Sequence, residues 1–401
     1  MSVTPLPLAG VCVLDVATVI AAPFCATILG EFGAEVIKVE MPGQGDSLRR
    51  YGAISSAGPA FAWLNEGRNK KSITLDLRKE KGQQILKRLV AGADIMVENF
   101  RPGTLESWNL GYEELKKIKN DLIMVRVTAY GQDGPYRDRP GFARLAHGFS
   151  GLAHLSGEPG GAPQSPGSVA LADYLSGLYG ALGALLSFTA RNRYGIGQYV
   201  DIGLYEGIFR LLDEMVPAYS ATGKIAQRMG TEASHLVPHN HYQAKDGKWV
   251  AIACTIQRMF ERLTVVMGRP ELMEPDQFAT MDQRIARREE LNKIVGDWVG
   301  TMDREQVLSR CMEGEVPAGP IYDVADIFQD DHYRARHNLL EVPDPRLGSL
   351  VVPNVVPRLS ETPGEVRWLG PDLGQHNLEI YRDRLGMSES EMEQLHQEGV
   401  I

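Results

Sequence analysis

A chain of 401 residues is longer than the size at which a single hydrophobic core stops growing, so its length predicts two domains. Hydrophobic residues make up 43% of it and charged residues 23%, which is ordinary for a folded soluble protein with sizeable cores. The net charge of -9 argues against nucleic-acid and anionic-membrane partners, because those surfaces require a concentrated basic face.

Neither the start of the chain nor its apolar stretches predict export or membrane insertion. The N-terminal sequence "MSVTPLPLAGVCVLD" lacks the basic segment and the long apolar core of a signal peptide. No stretch reaches the roughly 18 uncharged apolar residues of a membrane span. We therefore expect a cytoplasmic protein. Its four cysteines are scattered along the chain, which predicts buried thiols rather than a zinc or redox site.

The first part of the chain alternates strands with helices. "GVCVLDV" is a valine-rich strand, the loop "ATVIAAP" follows, and a helix from about Pro23 to Phe32 precedes the strand "AEVIKVE". The pattern continues through the strand "SITLDL", the helix "KEKGQQILKRLVAGA", the strand "DIMVENF", short helices around "LESWN" and "YEELKKI", and the strand "LIMVRV". This alternation predicts an α/β fold with a doubly wound, mostly parallel sheet.

Loops and then an apolar helix follow this alternating region. Residues 130–166 are rich in Gly, Pro and Arg, which predicts loops, and loops after sheet strands usually carry the functional site. A helix of small and apolar residues then begins near Asp173.

A change of composition near residue 224 marks a second domain. Asp246 and Gly247 lie between two strand-like runs, a strong hairpin signal. Helices are predicted over Arg258 to Met267, Arg288 to Met302 and Arg304 to Met312. We expect residues 1–224 to form the first part of a large domain, 225–325 a smaller α+β domain, and 326–401 a C-terminal part that returns to the large domain.

Two common kinds of site are not favoured by the sequence. Glu40 ends the second strand, where an acid can bond a nucleotide ribose, but the first turn, "DVATVIAAPF", has no glycine and does not fit the dinucleotide fingerprint. His235, His239 and His241 form a cluster, but Pro238 interrupts any helix there and no acidic ligand is nearby. We therefore predict no metal site and no nicotinamide cofactor.

Asp173 is the only charged residue between Glu158 and Arg191. Its structural interpretation is an N-cap, in which the carboxylate accepts hydrogen bonds from the first N–H groups of the helix. Its functional interpretation is a nucleophile, because those N–H groups and the positive helix end would keep a partly desolvated carboxylate ionised. The two interpretations are compatible.

The sequence resembles the class III CoA-transferases, the family of formyl-CoA transferase and carnitine CoA-transferase. The similarity lies in "PLAGVCVLDVATVIAAPFCATILGEFGAEVIKVEMPGQGD", "NKKSITLDLRKEKG", "ADIMVENFRPGTLESWNLGYEEL", "AYGQDGPYRDRPGF" and "LGQHNLEIYRDRLGMSESEMEQLHQEGVI", in that order from end to end. The resemblance implies a Rossmann-like large domain built from both chain ends, a small domain, and a homodimer of two interlocked chains with the active site between them. It also places Asp173, in "LADYLSG", at the position of the catalytic aspartate.

The resemblance also implies the chemistry and its residues. The Asp173 carboxylate would attack an acyl-CoA thioester to give an aspartyl anhydride and then an aspartyl-CoA thioester, with coenzyme A as a substrate and no prosthetic group or metal. By position, the residues expected to contact CoA are Val19, Ile20, Ala21, Leu75, Arg78, Asn99 and Phe100, with Arg101 and Arg139 as further phosphate candidates.

The donor and acceptor are expected to be succinyl-CoA and a small dicarboxylate, with Arg49, Arg50 and Arg144 available for the second carboxylate. Carnitine-like, aromatic and benzylsuccinate-like acids remain open. This chain departs from formyl-CoA transferase after the small-domain hairpin, where "AIACTIQRMF", including Cys254 to Phe260, replaces a glycine loop and puts a flexible lid in doubt.

Two other functions are alternatives. One is a 2-methylacyl-CoA racemase of the same superfamily, but Phe142 and Ala143 stand where those enzymes place a catalytic histidine and an acid. The other is a CoA-binding protein without catalytic activity.

Overall fold

Six parallel strands form the central sheet in the computed structural model, which describes residues 5–401. In chain order they are β1 (Cys12–Asp15), β2 (Glu35–Glu40), β3 (Lys70–Thr74), β4 (Ile95–Glu98), β5 (Ile123–Thr128) and β6 (Tyr199–Gly203). Their spatial order is β3-β2-β1-β4-β5-β6, and β1 pairs with both β2 and β4. This is the order of the doubly wound α/β fold, whose ligands bind beyond the carboxyl ends of the strands where the winding reverses.

Five further strands form two smaller antiparallel sheets. One contains β7 (His239–Gln243), β8 (Trp249–Ala253) and β9 (Ala318–Pro320), and the other contains β10 (Leu339–Asp344) and β11 (Gly348–Pro353). Asp246 and Gly247 lie in the β7–β8 connection, with Gly247 at a φ of 80° and Gln243 paired with Trp249, which confirms the predicted hairpin.

Helices connect and cover the strands. In chain order the α-helices are α1 (Ala21–Glu31), α2 (Phe61–Glu66), α3 (Glu80–Val90), α4 (Thr104–Ser107), α5 (Tyr112–Lys116), α6 (Ala143–Phe149), α7 (Leu152–Leu155), α8 (Leu171–Tyr194), α9 (Glu206–Phe209), α10 (Met215–Thr222), α11 (Gln257–Val266), α12 (Met281–Ala286), α13 (Arg288–Val299), α14 (Arg304–Glu313), α15 (Val324–Gln329), α16 (Asp331–Ala335) and α17 (Glu389–Gln397). Two 3-10 helices span Ser47–Arg50 and Pro270–Met273, and a π-helix spans Leu378–Arg384.

The chain divides into two compact units. The first contains the described residues up to 152, residues 166–216 and residues 333–401. The second contains residues 153–165 and 217–332, with the β7-β8-β9 sheet and its own core of buried residues such as Phe260, Leu291 and Val295. In this second unit only three residues, 254–256, connect β8 to α11.

The large sheet is buried on both faces, which explains its nearly continuous apolar strands. On one face, α3 and the C-terminal residues, including Tyr381 and Leu395, pack in a common core. On the other face, α1 and α8 pack against the side chains of β4 and β5. The sheet is therefore covered on both faces by segments that are far apart in the chain.

Glycines allow α1 and α8 to approach closely. A Cβ atom on Gly177 of α8 would lie 2.5 Å from the Ala21 carbonyl oxygen and 2.9 Å from the Phe24 Cβ. One turn later, a Cβ on Gly180 would lie 3.2 Å from the Cys25 Cβ. The close contact fixes the starts of both helices at the same edge of the sheet.

The structure corrects several sequence predictions. The Tyr130–Pro166 region contains the helices α6 and α7 as well as loops, and β3 runs over Lys70–Thr74 rather than starting at Ser72. The strand β6 was not predicted. Helix α8 is long and apolar enough, by length and composition alone, to cross a membrane, contrary to the expectation that no segment would be. Its small residues are buried against α1 and the sheet.

Replacing Gly177 by Ala should destabilise the protein by roughly 1–3 kcal/mol, because the new methyl group has no room beside the α1 backbone. The control is Gly148→Ala: Gly148 is also a helical glycine, and a Cβ atom on it would have nothing within 4 Å. That change should be neutral or stabilising by up to about 1 kcal/mol. Urea unfolding of both variants measures the difference, and equal effects would contradict the proposed close contact.

Candidate active site

A cavity of about 340 Å³ lies at the carboxyl edge of the large sheet and contains Asp173 in its wall. We call it the Asp173 cavity. It is lined by segments that follow β1, β4 and β5, together with the start of α8 and Leu204 after β6: Thr18 to Ala21, Asn99 to Pro102, Val127 to Ala129, Arg137, Arg139 to Phe142, Asp173 and Leu204. The cavity is at the point where the winding of the sheet reverses, the usual ligand position of this fold.

A second cavity of about 270 Å³ adjoins the first. It lies beyond β2 and β3 and is lined by residues that include Leu75, Arg78 and Met41. Thr18 and Phe100 line both cavities. The two spaces therefore suit one elongated ligand that passes Phe100 and ends near Asp173.

Asp173 is the third residue of α8 and does not cap it. The N-cap position is Ala170, and no side chain at that position bonds the helix, so the predicted capping role of Asp173 is wrong. Within residues 5–401, neither oxygen of the half-buried Asp173 carboxylate has a hydrogen bond or an ion pair. Burial alone raises its pKa to about 6, which leaves it mostly ionised at neutral pH but without a stabilising partner.

His147 supplies the contact that was expected of Asp173. Its ring is buried, and its Nε2 atom lies 3.2 Å from the backbone nitrogen of Ala172, which donates to it. Burial and the neighbouring Arg144 lower the His147 pKa, which favours the neutral ring that can accept this hydrogen bond. The Asp173 carboxylate is thereby left free to face the cavity.

The loop after β1 is held from two sides. The Asn99 side chain accepts a hydrogen bond from the Thr18 nitrogen at 2.8 Å and donates to the Thr18 oxygen at 2.7 Å. Both oxygens of Asp46 accept from the Val19 nitrogen, at 3.0 and 3.2 Å. Sequence reasoning missed Asp46, because no local pattern shows that a residue 27 positions away binds this loop.

Buried charges beneath the loop support it further. The Lys38 ammonium lies 3.0 Å from Asp46 and 3.4 Å from Asp15, and it also donates to the Ala17 carbonyl. Lys70 contacts Asp15 at 2.8 Å and donates to the Pro23 carbonyl at 2.7 Å. All four charged side chains are almost fully buried, so each pairing is needed to offset the cost of desolvation.

The structure brings together the residues predicted to contact CoA. Lining the Asp173 cavity are Val19, Ile20, Ala21, Asn99, Phe100, Arg101 and Arg139, while Leu75 and Arg78 line the adjoining cavity. Arg78 is paired with Asp76 through two contacts of 2.8 Å, yet its side chain is 63% exposed, so part of the guanidinium can still meet a ligand.

The structure does not place the three arginines predicted for the acceptor in the cavity. The Arg49 side chain is buried, forms two contacts of 2.7 Å with Glu40 and stacks on Trp63, so it is not available to a substrate. The same pairing engages Glu40, which the sequence suggested as a ribose ligand. Arg50 and Arg144 are exposed and lie outside the residues that line the Asp173 cavity.

Arg137 does line the Asp173 cavity, although sequence reasoning did not select it. Its closest acidic partner is the exposed Asp138 at 3.4 Å. With Arg101 and Arg139 it makes three arginines among the residues that line the cavity. Phe142 also lines the cavity, at the position where a racemase would need its base. Among residues 5–401, no group of three or more His, Cys, Asp or Glu side chains is arranged to hold a metal ion.

Comparisons with known proteins find similarity along almost the whole chain. The family model described as CoA-transferase family III matches residues 8–377. The beta subunit of succinyl-CoA–L-malate CoA-transferase from Chloroflexus aurantiacus is 51% identical over 400 residues, which covers 99% of each chain. Succinyl-CoA:glutarate CoA-transferase from Mus musculus is 35% identical over 400 residues, covering 98% of this chain and 90% of the relative.

A solved structure shares the fold over nearly the whole chain. It is a CAIB/BAIF family protein from Brucella suis, with a TM-score of 0.84 and 34% identity. The match covers 95% of this chain and 100% of that one.

Asp173→Asn should raise the stability of the protein at about pH 8 by roughly 1–3 kcal/mol. The pKa of Asp173 is higher in the folded state, at about 6, than its ordinary value of 3.8, so the folded state holds the proton more tightly and ionisation lowers stability. The gain should therefore shrink as the pH falls from 6 toward 4, where the native carboxyl is protonated. Urea unfolding across this range tests it, and a variant less stable than the parent at pH 8 would contradict it.

Proposed function

The chain belongs to CoA-transferase family III and is a CoA-transferase, and from this premise we propose that it moves CoA from succinyl-CoA to a small dicarboxylate through covalent intermediates on Asp173. The observation that carries the proposal is the Asp173 carboxylate itself. It is mostly ionised at neutral pH, partly desolvated and without a partner among residues 5–401, and it lines one of two adjoining cavities. A weakly solvated carboxylate of this kind is a competent nucleophile.

The first half of the reaction removes the donor acid. The Asp173 carboxylate attacks the thioester carbonyl, and the carbon–sulfur bond breaks. CoA departs as the thiolate, and an aspartyl–succinyl anhydride remains on the protein. The thiolate then attacks the aspartyl carbonyl, and succinate departs with an oxygen that had belonged to Asp173. The protein now carries CoA as an aspartyl thioester.

The second half repeats these steps in reverse. The carboxylate of the acceptor attacks the aspartyl-CoA thioester and expels the thiolate, which then attacks the acceptor's carbonyl in the new anhydride. The new acyl-CoA leaves, and Asp173 keeps one oxygen of the acceptor. Every intermediate is an activated acyl group, so the exchange needs no further source of energy.

CoA is proposed to span both cavities, with its adenosine and phosphates near Leu75 and Arg78 and its thiol near Asp173. The lining supports this arrangement, because Phe100 offers an apolar face between the two cavities and Arg78 a partly exposed cation. The loop Thr18–Ala21 would contact the ligand along its middle.

A dicarboxylate acceptor is supported by the charge of the Asp173 cavity. Arg101, Arg137 and Arg139 line it, and a guanidinium can bind a carboxylate through two parallel hydrogen bonds. Two relatives are named for exchange between succinyl-CoA and malate or glutarate, both of which carry a second carboxylate. We assign the second carboxylate to Arg137, whose only ion pair among residues 5–401 is with the exposed Asp138.

The two alternatives do not fit a chain that belongs to the CoA-transferases. A racemase needs two groups that exchange a proton at one carbon, and Phe142 in the cavity wall cannot do this. A protein that only binds CoA would gain nothing from a carboxylate whose burial opposes its charge.

A homodimer in the cytoplasm is part of the proposal. Helix α8 exposes Leu178, Leu182 and Leu186 on one side, an apolar face that a second copy would cover. The malate relative is named as a beta subunit, so a mixed pair of related chains is the alternative assembly.

Asp173→Ala should abolish CoA exchange between succinyl-CoA and malate or glutarate, because no nucleophile remains. CoA affinity, measured by isothermal titration, should stay within a few-fold of the parent, since the two cavities are otherwise intact. Asp121→Asn is the control: that carboxylate pairs with Lys119 before the start of β5 and should not affect turnover. Exchange by Asp173→Ala at the parent rate would refute the mechanism.

Arg137→Gln should raise KM for a dicarboxylate acceptor roughly tenfold or more, the size expected when one charged hydrogen-bonding partner is lost. The KM for a monocarboxylate of similar length should change little. Arg50→Gln removes an exposed arginine outside the cavity and should change neither value. An equal rise in KM for both classes of acid would show that Arg137 does not bind the second carboxylate.

A further inference from the structure

Val19 has a backbone conformation that its side chain disfavours. Its φ is 68°, in the left-handed region, and it is the only β-branched residue with positive φ among residues 5–401. A β-branched side chain there is a genuine outlier, because its Cβ substituents crowd the neighbouring backbone. Such strain persists only where the surroundings enforce it.

The enforcing contacts come from outside the loop. Asn99 holds both polar groups of the Thr18 backbone, and Asp46 holds the Val19 nitrogen with both carboxylate oxygens. Asn99 fixes the peptide before the strained residue, and the Val19 side chain packs against the cluster of Ile20, Leu48 and Trp63. Among residues 5–401, Asp46 is the one side chain that hydrogen-bonds the Val19 backbone. Without it, rotation about φ to an ordinary negative value would relieve the strain.

Asp46 is itself fixed from three directions. It accepts from the Leu48 nitrogen at 2.9 Å as the N-cap of the 3-10 helix Ser47–Arg50. Its own nitrogen donates to Glu40 at 2.9 Å, and the buried Lys38 ammonium lies 3.0 Å from its carboxylate. The carboxylate cannot follow the loop if the loop moves, so it acts as a rigid support.

The strained conformation shapes the site directly. Four consecutive residues, Thr18 to Ala21, line the Asp173 cavity. Thr18 lines the adjoining cavity as well, together with Asp46. A change of φ at Val19 would alter the path of the loop between Thr18, which Asn99 holds, and Ala21, which packs against α8, and so alter the walls of both cavities.

We propose that Asp46 is a positioning residue, which holds Val19 in the left-handed conformation and thereby keeps the Thr18–Ala21 loop in the shape that binds a CoA thioester beside Asp173. This inference rests on the proposed function, because the ligand it concerns is the CoA thioester. Asp46 acts through Val19 and contributes no chemistry of its own.

The test is a rescue experiment. Asp46→Ala should lower kcat/KM for CoA exchange roughly 10- to 100-fold. This range is expected when no side chain holds Val19 in its strained conformation and the binding conformation becomes a minor state. Adding Val19→Gly should recover most of that loss, because glycine adopts positive φ as readily as negative φ. Adding Val19→Ala instead should recover none, since alanine shares the steric penalty of left-handed backbone.

A second variant at Asp46 controls for misfolding caused by the change of buried charge. Asp46→Ala leaves the buried Lys38 with Asp15 as its remaining carboxylate, so Lys38 and Asp46 are also removed together as Lys38→Met/Asp46→Leu, after which Asp15 keeps Lys70 as its partner. The same pattern of recovery by Val19→Gly and not by Val19→Ala is expected there. The affinity for CoA, measured by isothermal titration, should follow the same pattern.

Glu31→Ala is the matched control. Glu31 is a buried carboxylate paired with Arg68 at 2.8 Å and has no contact with the loop. It should lower the melting temperature, and Val19→Gly should give no recovery of exchange in this background, because nothing about Val19 has changed.

Failure of this inference can be distinguished from failure of the proposed function. If Val19→Gly leaves both Asp46 backgrounds as inactive as before, Asp46 only stabilises the fold and the inference is wrong. If the parent protein exchanges no CoA between succinyl-CoA and any dicarboxylate, the proposed function itself is wrong.

Discussion

The close packing of α1 on α8 is the constraint on which the site depends. Gly177 and Gly180 let the two helices meet almost at backbone distance on one face of the sheet. Because both helices begin at the carboxyl edge, this contact brings the loop before α1 and the first turn of α8 to the same place. Asp173 is partly desolvated there as a consequence of packing.

Near the starts of α1 and α8, some charged side chains are buried in ion pairs, whereas Asp173 has no ion pair among residues 5–401. Beneath the loop, Lys38 and Lys70 are matched by Asp15 and Asp46, so that buried charge fixes the backbone. At the cavity wall, the Asp173 carboxylate receives no such partner, and His147 takes over the helix-end contact that would have engaged it. A rigid, well-paired support thus lies beside one carboxylate that we propose to be reactive, the usual compromise between stability and function at a site.

Features that depend on local pattern were predicted from the sequence. The first five strands of the sheet and the Asp246–Gly247 hairpin follow from valine-rich runs, alternating helices and turn residues. The resemblance to a family, carried by motifs along the whole chain, predicted which residues contact CoA, and the structure brings those residues together in two adjoining cavities. What was missed depends on contacts between distant segments: the support of Val19 by Asp46, the contact of His147 with Ala172, and the burial of Arg49 against Glu40. A capping aspartate and a free aspartate look alike in sequence. The structure distinguishes them, because Ala170 occupies the N-cap position of α8 and Asp173 lies inside the helix.

The central claim is that Asp173 becomes covalently bonded to the acids it exchanges, and oxygen isotopes test it most directly. The protein is incubated with succinyl-CoA and a dicarboxylate whose carboxylates carry oxygen-18, and the peptide containing Asp173 is then weighed by mass spectrometry. The mechanism predicts that one heavy oxygen passes from the acceptor into the Asp173 side chain, because the final anhydride is cleaved on the acceptor's side. A peptide that remains unlabelled after complete turnover, with all the heavy oxygen in the acyl-CoA and free acid, would contradict the account.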